Sequence, residues 1–277
     1  MNTISMQDGK AYVTGAESLS CGHCAAVCPE GAIRVKELDD SVLTFGTFEQ
    51  DLKWLKHGGF DTSQLVRLMR SRRSCRNYKE KPVERILIED LIKIGTTAPS
   101  GTNSQEWTFT VLPTREAVLT LANQIAQYFK ELNSMAEKSY LRFFMKMTGN
   151  SELDIYYKNY YETVKETLFE WENKGRDRLF HGAQSAIIVG SRPDATCPAE
   201  DALLATQNIL LGAHSMGLGT CLVGFAVSAI KRKPAIKLSV GIPAEEKVYS
   251  VIALGWPDEK YSGLAGRKKA VVRYFNR

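Results

Sequence analysis

RRSCRNY, Arg72–Tyr78, sets three guanidiniums and a hydroxyl within five residues. Burying such a cluster without an anion is costly, whereas a phosphate monoester accepts several charge-assisted hydrogen bonds from it, some of them bidentate. RRS alone reads best as the solvated basic end of a helix. That reading loses ground once APSGTNSQEW, Ala98–Trp107, is set beside it, one helical pattern further on. Pro99-Ser100-Gly101 makes a tight turn that exposes backbone, and Asn103 and Gln105 bring amide donors and acceptors able to read the edge of a heterocycle.

Outward from these stretches the chain reads by period. SQLVRLMRSR has helical spacing, and Pro82 is expected to open the next helix at its first turn, with Ile86, Leu91 and Ile94 on the apolar face and Gly95 near the end. EWTFTVLP, SAIIVGS and KVYSVIALGW read as strands, and Thr114 as the cap of a helix that turns Ala117, Val118, Leu121 and Ile125 inward. Two aromatic-rich helical patterns flank Gly149-Asn150 between Ser139 and Lys174. DALLATQNILLGAHSMGLG is apolar on nearly every face, which calls for burial in a core or against another subunit. Short strands and long helices without regular alternation point to α+β.

Composition bounds the function. With 277 residues, 44% hydrophobic and 24% charged, the chain can build one sizeable core and a small appendage. The net charge of +5 is modest, and the short basic clusters at Arg70–Arg76, Lys231–Lys233 and Arg267–Lys269 suit a phosphate group rather than a nucleic-acid track. No apolar run approaches the ~20 residues of a membrane helix, and MNTISMQDGK has no secretory core, so the expectation is a cytoplasmic protein with neither membrane nor nucleic-acid partner. Three cysteines crowd between Cys21 and Cys28, while Cys75, Cys197 and Cys221 are scattered, which is no disulfide framework. His57 and His181 show no partner by spacing, and His214 reads as a packed residue.

From about Ser63 onward the chain resembles the nitroreductase family of FMN-binding flavoproteins, on several motifs in the family's order. The resemblance implies that Arg72, Arg73, Ser74 and Arg76 hold the FMN phosphate and ribityl chain, with Arg76 also near the pyrimidine end of the ring. It makes Pro99, Ser100, Asn103 and Gln105 a flavin-contact turn. GLGTCLVGF, Gly217–Phe225, is similar to the segment beside the ring, so Leu222, Val223 and Gly224 run near N5; many relatives carry an acidic residue where Val223 stands. Arg267 and Lys269 of GRKKA stand where the family places its C-terminal phosphate ligands, although GRKK alone reads as a solvated loop. All these groups are expected to converge on one flavin.

The resemblance further implies a nitroreductase-like α+β fold, a mostly antiparallel sheet surrounded by helices, in a homodimer with FMN at its interface. Electrons would pass from NAD(P)H through flavin N5 to a small flat acceptor such as a nitroaromatic or quinone, with no catalytic side chain required. The alternatives are a flavin enzyme that remodels one metabolite, and a non-catalytic flavin sensor or electron-transfer protein. For Tyr156, Tyr157, Tyr160, Tyr161 and Trp171, a cover over the flavin and plain helix or subunit packing are both open.

SCGHCAAVCP resembles the second half of a two-cluster ferredoxin domain, with Cys21, Cys24 and Cys28 as candidate iron-sulfur ligands. Ser18 stands where the first cysteine belongs, and Cys28 would serve a cluster whose other ligands the chain does not contain. A complete four-thiolate cluster is therefore not expected, zinc at Cys21, His23, Cys24 and Cys28 is a weaker option, and a ferredoxin-type protein donor stays open. The expected organisation is a degenerate ferredoxin-like module at 1–36, a connector at 37–61 that packs on something larger, and an FMN-binding domain at 62–277.

Overall fold

Valine- and isoleucine-rich stretches place two strands at the centre of the fold. β4 (Ser185–Ser191) is buried at every position and β6 (Lys247–Gly255) from Ser250 onward, the pattern of strands covered on both faces. In the computed structural model, which describes residues 3–275, they belong to a four-stranded sheet in the order β3-β4-β6-β5 with every pair antiparallel. β3 (Trp107–Leu112) and β5 (Gly219–Leu222) form its edges. Residues 1–2 and 276–277, the ends of the expected module and domain, lie outside the described residues.

Alternation along the central strands feeds two cores. Ala186, Ile188, Val251 and Ala253 face α4 (Arg115–Glu137), α9 (Gly224–Arg232) and α10 (Ala235–Ser239), where Val118, Leu121 and Ile125 are fully buried. Ile187, Val189, Ile252 and Leu254 face α3 (Arg85–Thr96) and α8 (Pro198–Ser215), against Ile88, Leu91, Ile209 and Ala213. Each such Ile or Leu contributes about 1.5–3 kcal/mol relative to exposure. Gly95 lets α3 and α8 approach, since a Cβ there would meet Ile209 Cγ1 at 2.9 Å. The expected α+β arrangement, an antiparallel sheet surrounded by helices, is what the chain adopts.

Local signals explain where helices begin. Asp61 Oδ1 accepts from Ser63 N–H at 2.7 Å to open α2 (Thr62–Ser71), and Thr114 Oγ1 accepts from Ala117 N–H at 3.3 Å to open α4. Pro82 does not open α3, which starts at Arg85 after Glu84. Nor does Ile86 enter the core: it is 43% exposed, and Ile88 takes the inward position. The second aromatic-rich pattern after α5 (Ser139–Met147) is split into α6 (Glu152–Asn159) and α7 (Tyr161–Lys174). Tyr160 makes the break, leaving helical geometry at φ −130° with its ring edge-on to Phe225. α8 is buried on one side only, Leu203 and Leu204 remaining 50% and 45% exposed.

The N-terminal segment forms a hairpin, β1 (Ile4–Gln7) with β2 (Lys10–Val13), followed by the short α1 (His23–Ala26). Residues 44–47 are clamped to α3 by one buried carboxylate. Asp90 accepts from the N–H groups of Gly46 and Thr47, from the Thr47 hydroxyl at 2.6 Å and from Lys93 Nζ at 3.3 Å. Burial opposes the Asp90 charge, but these donors outweigh it and hold the carboxyl below its ordinary value. Among the described residues no helix is long and apolar enough to cross a membrane.

Candidate active site

RRSCRNY follows α2 and runs beside the edge strand β5. Ser74 and Thr220 form a parallel bridge, and Cys75 N–H donates to the Thr220 carbonyl at 2.9 Å. Gly219 is required at this contact, because a Cβ would lie 2.9 Å from Cβ and Sγ of Cys75. The register carries Arg72, Arg73, Ser74 and Arg76 past GTCL, with Ser74 facing the Cys221 thiol. Burial, then the like charges of Arg267 and Arg73, push the Arg72 guanidinium below its ordinary value, so Arg267 of the C-terminal tail returns to this cluster. Arg72, Arg73 and Arg267 form no ion pair among the described residues. Cations crowded without an ion-pair partner raise the positive potential there. Lys269 lies exposed in the same tail and makes no ion pair among the described residues.

A carboxylate the motifs did not reveal anchors this segment. Glu259 Oε1 accepts from Arg76 N–H at 3.0 Å and Oε2 from the Tyr261 hydroxyl. Burial works against the Glu259 charge, but these donors prevail and its carboxyl sits below the usual range. The thiols beneath are inert: burial raises Cys75 to about 11 and pushes Cys221 up as well.

The turn at 99–105 is of another kind. Thr102, Asn103 and Gln105 have φ of 52°, 58° and 51°, left-handed backbone at three non-glycine residues within four positions. Such strain persists only where surroundings enforce it and clusters at functional sites. Asp201 at the start of α8 enforces it here, accepting from Gly101 N–H at 3.0 Å through Oδ1, while its carbonyl accepts from Trp107 Nε1. Gln105 Nε2 donates to Asn103 Oδ1, and Asn103 Nδ2 to the carbonyl of Ser20 at 2.8 Å. Ser104 Oγ and Asp201 Oδ2 are buried with no hydrogen-bond partner. Pro99 is exposed and Ser100 Oγ accepts from Gln105 N–H.

Within one chain the two segments do not converge. Trp107 is in register with Ser191 and Lys247, Thr220 with Leu254, on opposite edges of the sheet and near opposite ends of β6. At ~4.8 Å per strand and ~3.3 Å per residue the two anchors stand roughly 25 Å apart. The expectation of a single convergent cluster is corrected within one chain to two separate segments, because α3 carries the chain from one edge to the other.

A cavity of about 940 Å³ opens in front of β5, bounded by Arg76, His181, Leu222 and Gly224. Val223 N–H is already engaged by the Val251 carbonyl at 2.8 Å and its side chain is in the core, so the N–H groups left over are those that open α9. Tyr156 and Tyr160 wall this cavity, Tyr161 is buried beside Tyr157, and Trp171 lines a second, smaller cavity. The aromatic patch is thus part wall and part packing. His181, unremarkable by spacing, stands at the cavity with φ 56° on a loop built by Asp177, which accepts from the N–H groups of Leu179, Phe180 and Gly182. Burial holds His181 below its ordinary pKa.

The sequence pattern of the nitroreductase family matches residues 69–256. The chain belongs to the nitroreductase family. Among its relatives, 4-nitrobenzoate reductase of Nocardioides sp. is 26% identical over 208 residues, 70% of this chain and 81% of that protein. Iodotyrosine deiodinase of Thermotoga neapolitana is 27% identical over 217 residues, 76% of this chain and 97% of the deiodinase. Among solved structures, a nitroreductase with bound FMN from Desulfitobacterium hafniense shares the fold with a TM-score of 0.53 at 20% identity, over 75% of this chain and 97% of that one. The nitroreductase motifs thus lie in the part that the family pattern covers, except Arg267 and Lys269 beyond its end.

The cysteine segment lies outside that part. Among the described residues no group of three His, Cys, Asp or Glu stands close enough to hold a metal ion, so neither an iron-sulfur cluster nor the zinc option at Cys21, His23, Cys24 and Cys28 is supported. Cys28 is instead an acceptor of backbone hydrogen bonds, from Ala32 N–H at 3.4 Å, and these lower its pKa.

Proposed function

We propose that this nitroreductase-family protein is an FMN-dependent oxidoreductase that passes electrons from NAD(P)H to a small flat acceptor, such as a nitroaromatic or a quinone. The observation that carries the reading is the unpaired crowding of Arg72, Arg73 and Arg267 in a segment whose Arg76 lines a cavity of about 940 Å³. A phosphate fits the first and a flat heterocycle the second. The fit extends to the other segment, where Ser104 Oγ and Asp201 Oδ2 are buried without partners in a strained turn.

In this reading Arg72, Arg73, Ser74, Arg267 and Lys269 take the phosphate and ribityl end. Bound FMN supplies hydride acceptance and donation at N5. Arg76 stands as a fixed cation against the charge that collects at the pyrimidine edge on reduction, and Glu259 fixes its backbone. Leu222 and Gly224 give the ring a wall, with the N–H groups that open α9 directed along it. Pro99, Ser100, Asn103 and Gln105 come from the second copy of a homodimer, which explains why one chain holds them far from Arg72. The exposed Leu203 and Leu204 of α8 fit the seam of such a dimer. A cytoplasmic site of action suits six free cysteines.

Residues 1–36 are in this reading a degenerate ferredoxin-like module, 37–61 its connector and 62–277 the FMN-binding domain. One contact favours a protein electron donor as a second reading: the module reaches the strained turn through Ser20 and Asn103. The absorption spectrum of the anaerobically purified protein tests both. Flavin bands that NADH or NADPH bleaches are expected. A protein without flavin, and unable to take it up, contradicts the proposal, whereas bleaching by a ferredoxin alone selects the second reading.

A further inference from the structure

Behind the Arg76 end of the large cavity lies another, of about 540 Å³, between α4 and α7, within the ~300–1,000 Å³ of small-ligand sites. Both cavities are lined by Arg76, Phe129, Arg178, His181 and Phe225, so a ligand in the smaller one borders the larger. Its apolar wall is aromatic: Trp171 from α7, and Phe129 and Phe225, whose rings meet edge-to-face at 5.5 Å. Flat rings find stacking and edge contacts on such surfaces.

The charged lining among the described residues is cationic. Arg76, Arg176, Arg178 and His181 face this cavity, and no carboxylate does. Behind them Glu170, with a side chain 9% exposed, draws in Lys174 at 3.8 Å, Arg176 at 3.3 Å and Arg178 at 3.3 Å, and Glu166 meets Arg178 at 3.4 Å. Two carboxylates among three cations leave one positive charge uncompensated. Both arginines reach the carboxylates through Nη1, which leaves the Nη2 and Nε hydrogens for another acceptor. Burial opposes the Glu170 charge, but the surrounding cations keep its carboxyl below the ordinary range, so the guanidiniums are held in place before any ligand arrives.

We propose that this second cavity binds an aromatic ring that carries a carboxylate, with the carboxylate on Arg176 and Arg178 and the ring among Phe129, Trp171 and Phe225. Resting on the oxidoreductase reading above, it makes aromatic carboxylates the substrate class favoured at the adjoining site.

Calorimetric titration of the purified protein with sodium benzoate, and with benzamide as its neutral isostere, tests the binding without reference to turnover. Benzoate is expected to bind at least tenfold more tightly than benzamide and to weaken as salt rises. Arg178→Gln should bring benzoate to the level of benzamide, and Ala126→Phe, which fills the cavity from α4, should abolish the binding of both. Should Arg178→Gln not fold, the unmodified protein and Ala126→Phe decide. Equal affinity for the two probes, no binding of benzoate, or benzoate binding that survives Ala126→Phe overturns the proposal. A protein that selects benzoate yet never takes up flavin would sink the oxidoreductase reading alone. A flavin-loaded protein indifferent to benzoate would sink only this inference.

Discussion

Along the β5 edge of the sheet the chain gathers charge, and along the β3 edge it stores strain. Beside β5, Arg72, Arg73 and Arg267 are forced together without a counter-ion, on ordinary extended backbone. Before β3, the turn carries no cation, yet three of its non-glycine residues hold positive φ and two buried polar atoms lack partners. One half can attract an anion but has little shape of its own; the other has shape and no cation, its one buried charge being the Asp201 carboxylate that holds the turn. In the proposed homodimer one two-fold operation would bring each edge to the other copy and generate two equal sites.

The largest effect is expected at the charged edge. Arg72→Ala with Arg76→Ala removes two charge-assisted contacts, at ~1.5–3 kcal/mol each, and should weaken FMN binding by about 100-fold or more, so that the protein purifies largely without flavin. Full retention of tightly bound FMN would contradict the phosphate assignment. Next comes the clamp that ties residues 44–47 to α3. Asp90→Ala leaves the donors of Gly46 and Thr47 unpaired and should cost about 3 kcal/mol, read as a drop in Tm together with new protease cleavage between residues 44 and 61. Unchanged cleavage would show that the connector is held by something else.

A smaller effect is read by pH. The folded carboxyls of Asp90 and Glu259 lie below their ordinary values, so the stability each contributes is present above the unfolded pKa, about 4, and is lost as pH falls through the folded value. Glu259→Gln should flatten the acid side of the profile of Tm against pH and leave the neutral side nearly level. A steeper acid side would mean that Glu259 does not act through its charge. The smallest effect is chemical selectivity. Iodoacetamide near pH 7 should label Cys28, whose thiolate accepts backbone N–H groups, well before Cys75, which burial raises to about 11. Equal labelling would mean that β5 and its neighbouring segment open together.

What was legible in the sequence follows the range of the interactions involved. SAIIVGS and KVYSVIALGW announced the central strands because full burial demands apolar residues at successive positions. Thr114 announced α4 because capping acts within three residues. β5 did not announce itself: GTCL is four residues long and begins with a glycine needed by Cys75. Glu259 reaches Arg76 across 183 positions and Asp90 reaches Thr47 across 43, and such partners leave no periodic trace. At the site, RRSCR and GTCL were legible as motifs and prove adjacent, whereas their separation from APSGTNSQ was not, because it depends on strand order rather than on local pattern.

Assembly of the site from the β5 edge of one copy and the β3 edge of another is tested by complementation. One chain carries Arg72→Ala with Arg76→Ala, the other Asn103→Ala with Gln105→Ala, and each purified alone should bind little FMN. Unfolded together and refolded as a mixture, they are expected to form hybrid dimers with one intact site in two, so that flavin bound per hybrid dimer reaches half that of the unmodified protein. A hybrid dimer that binds no more flavin than its parents would contradict the account.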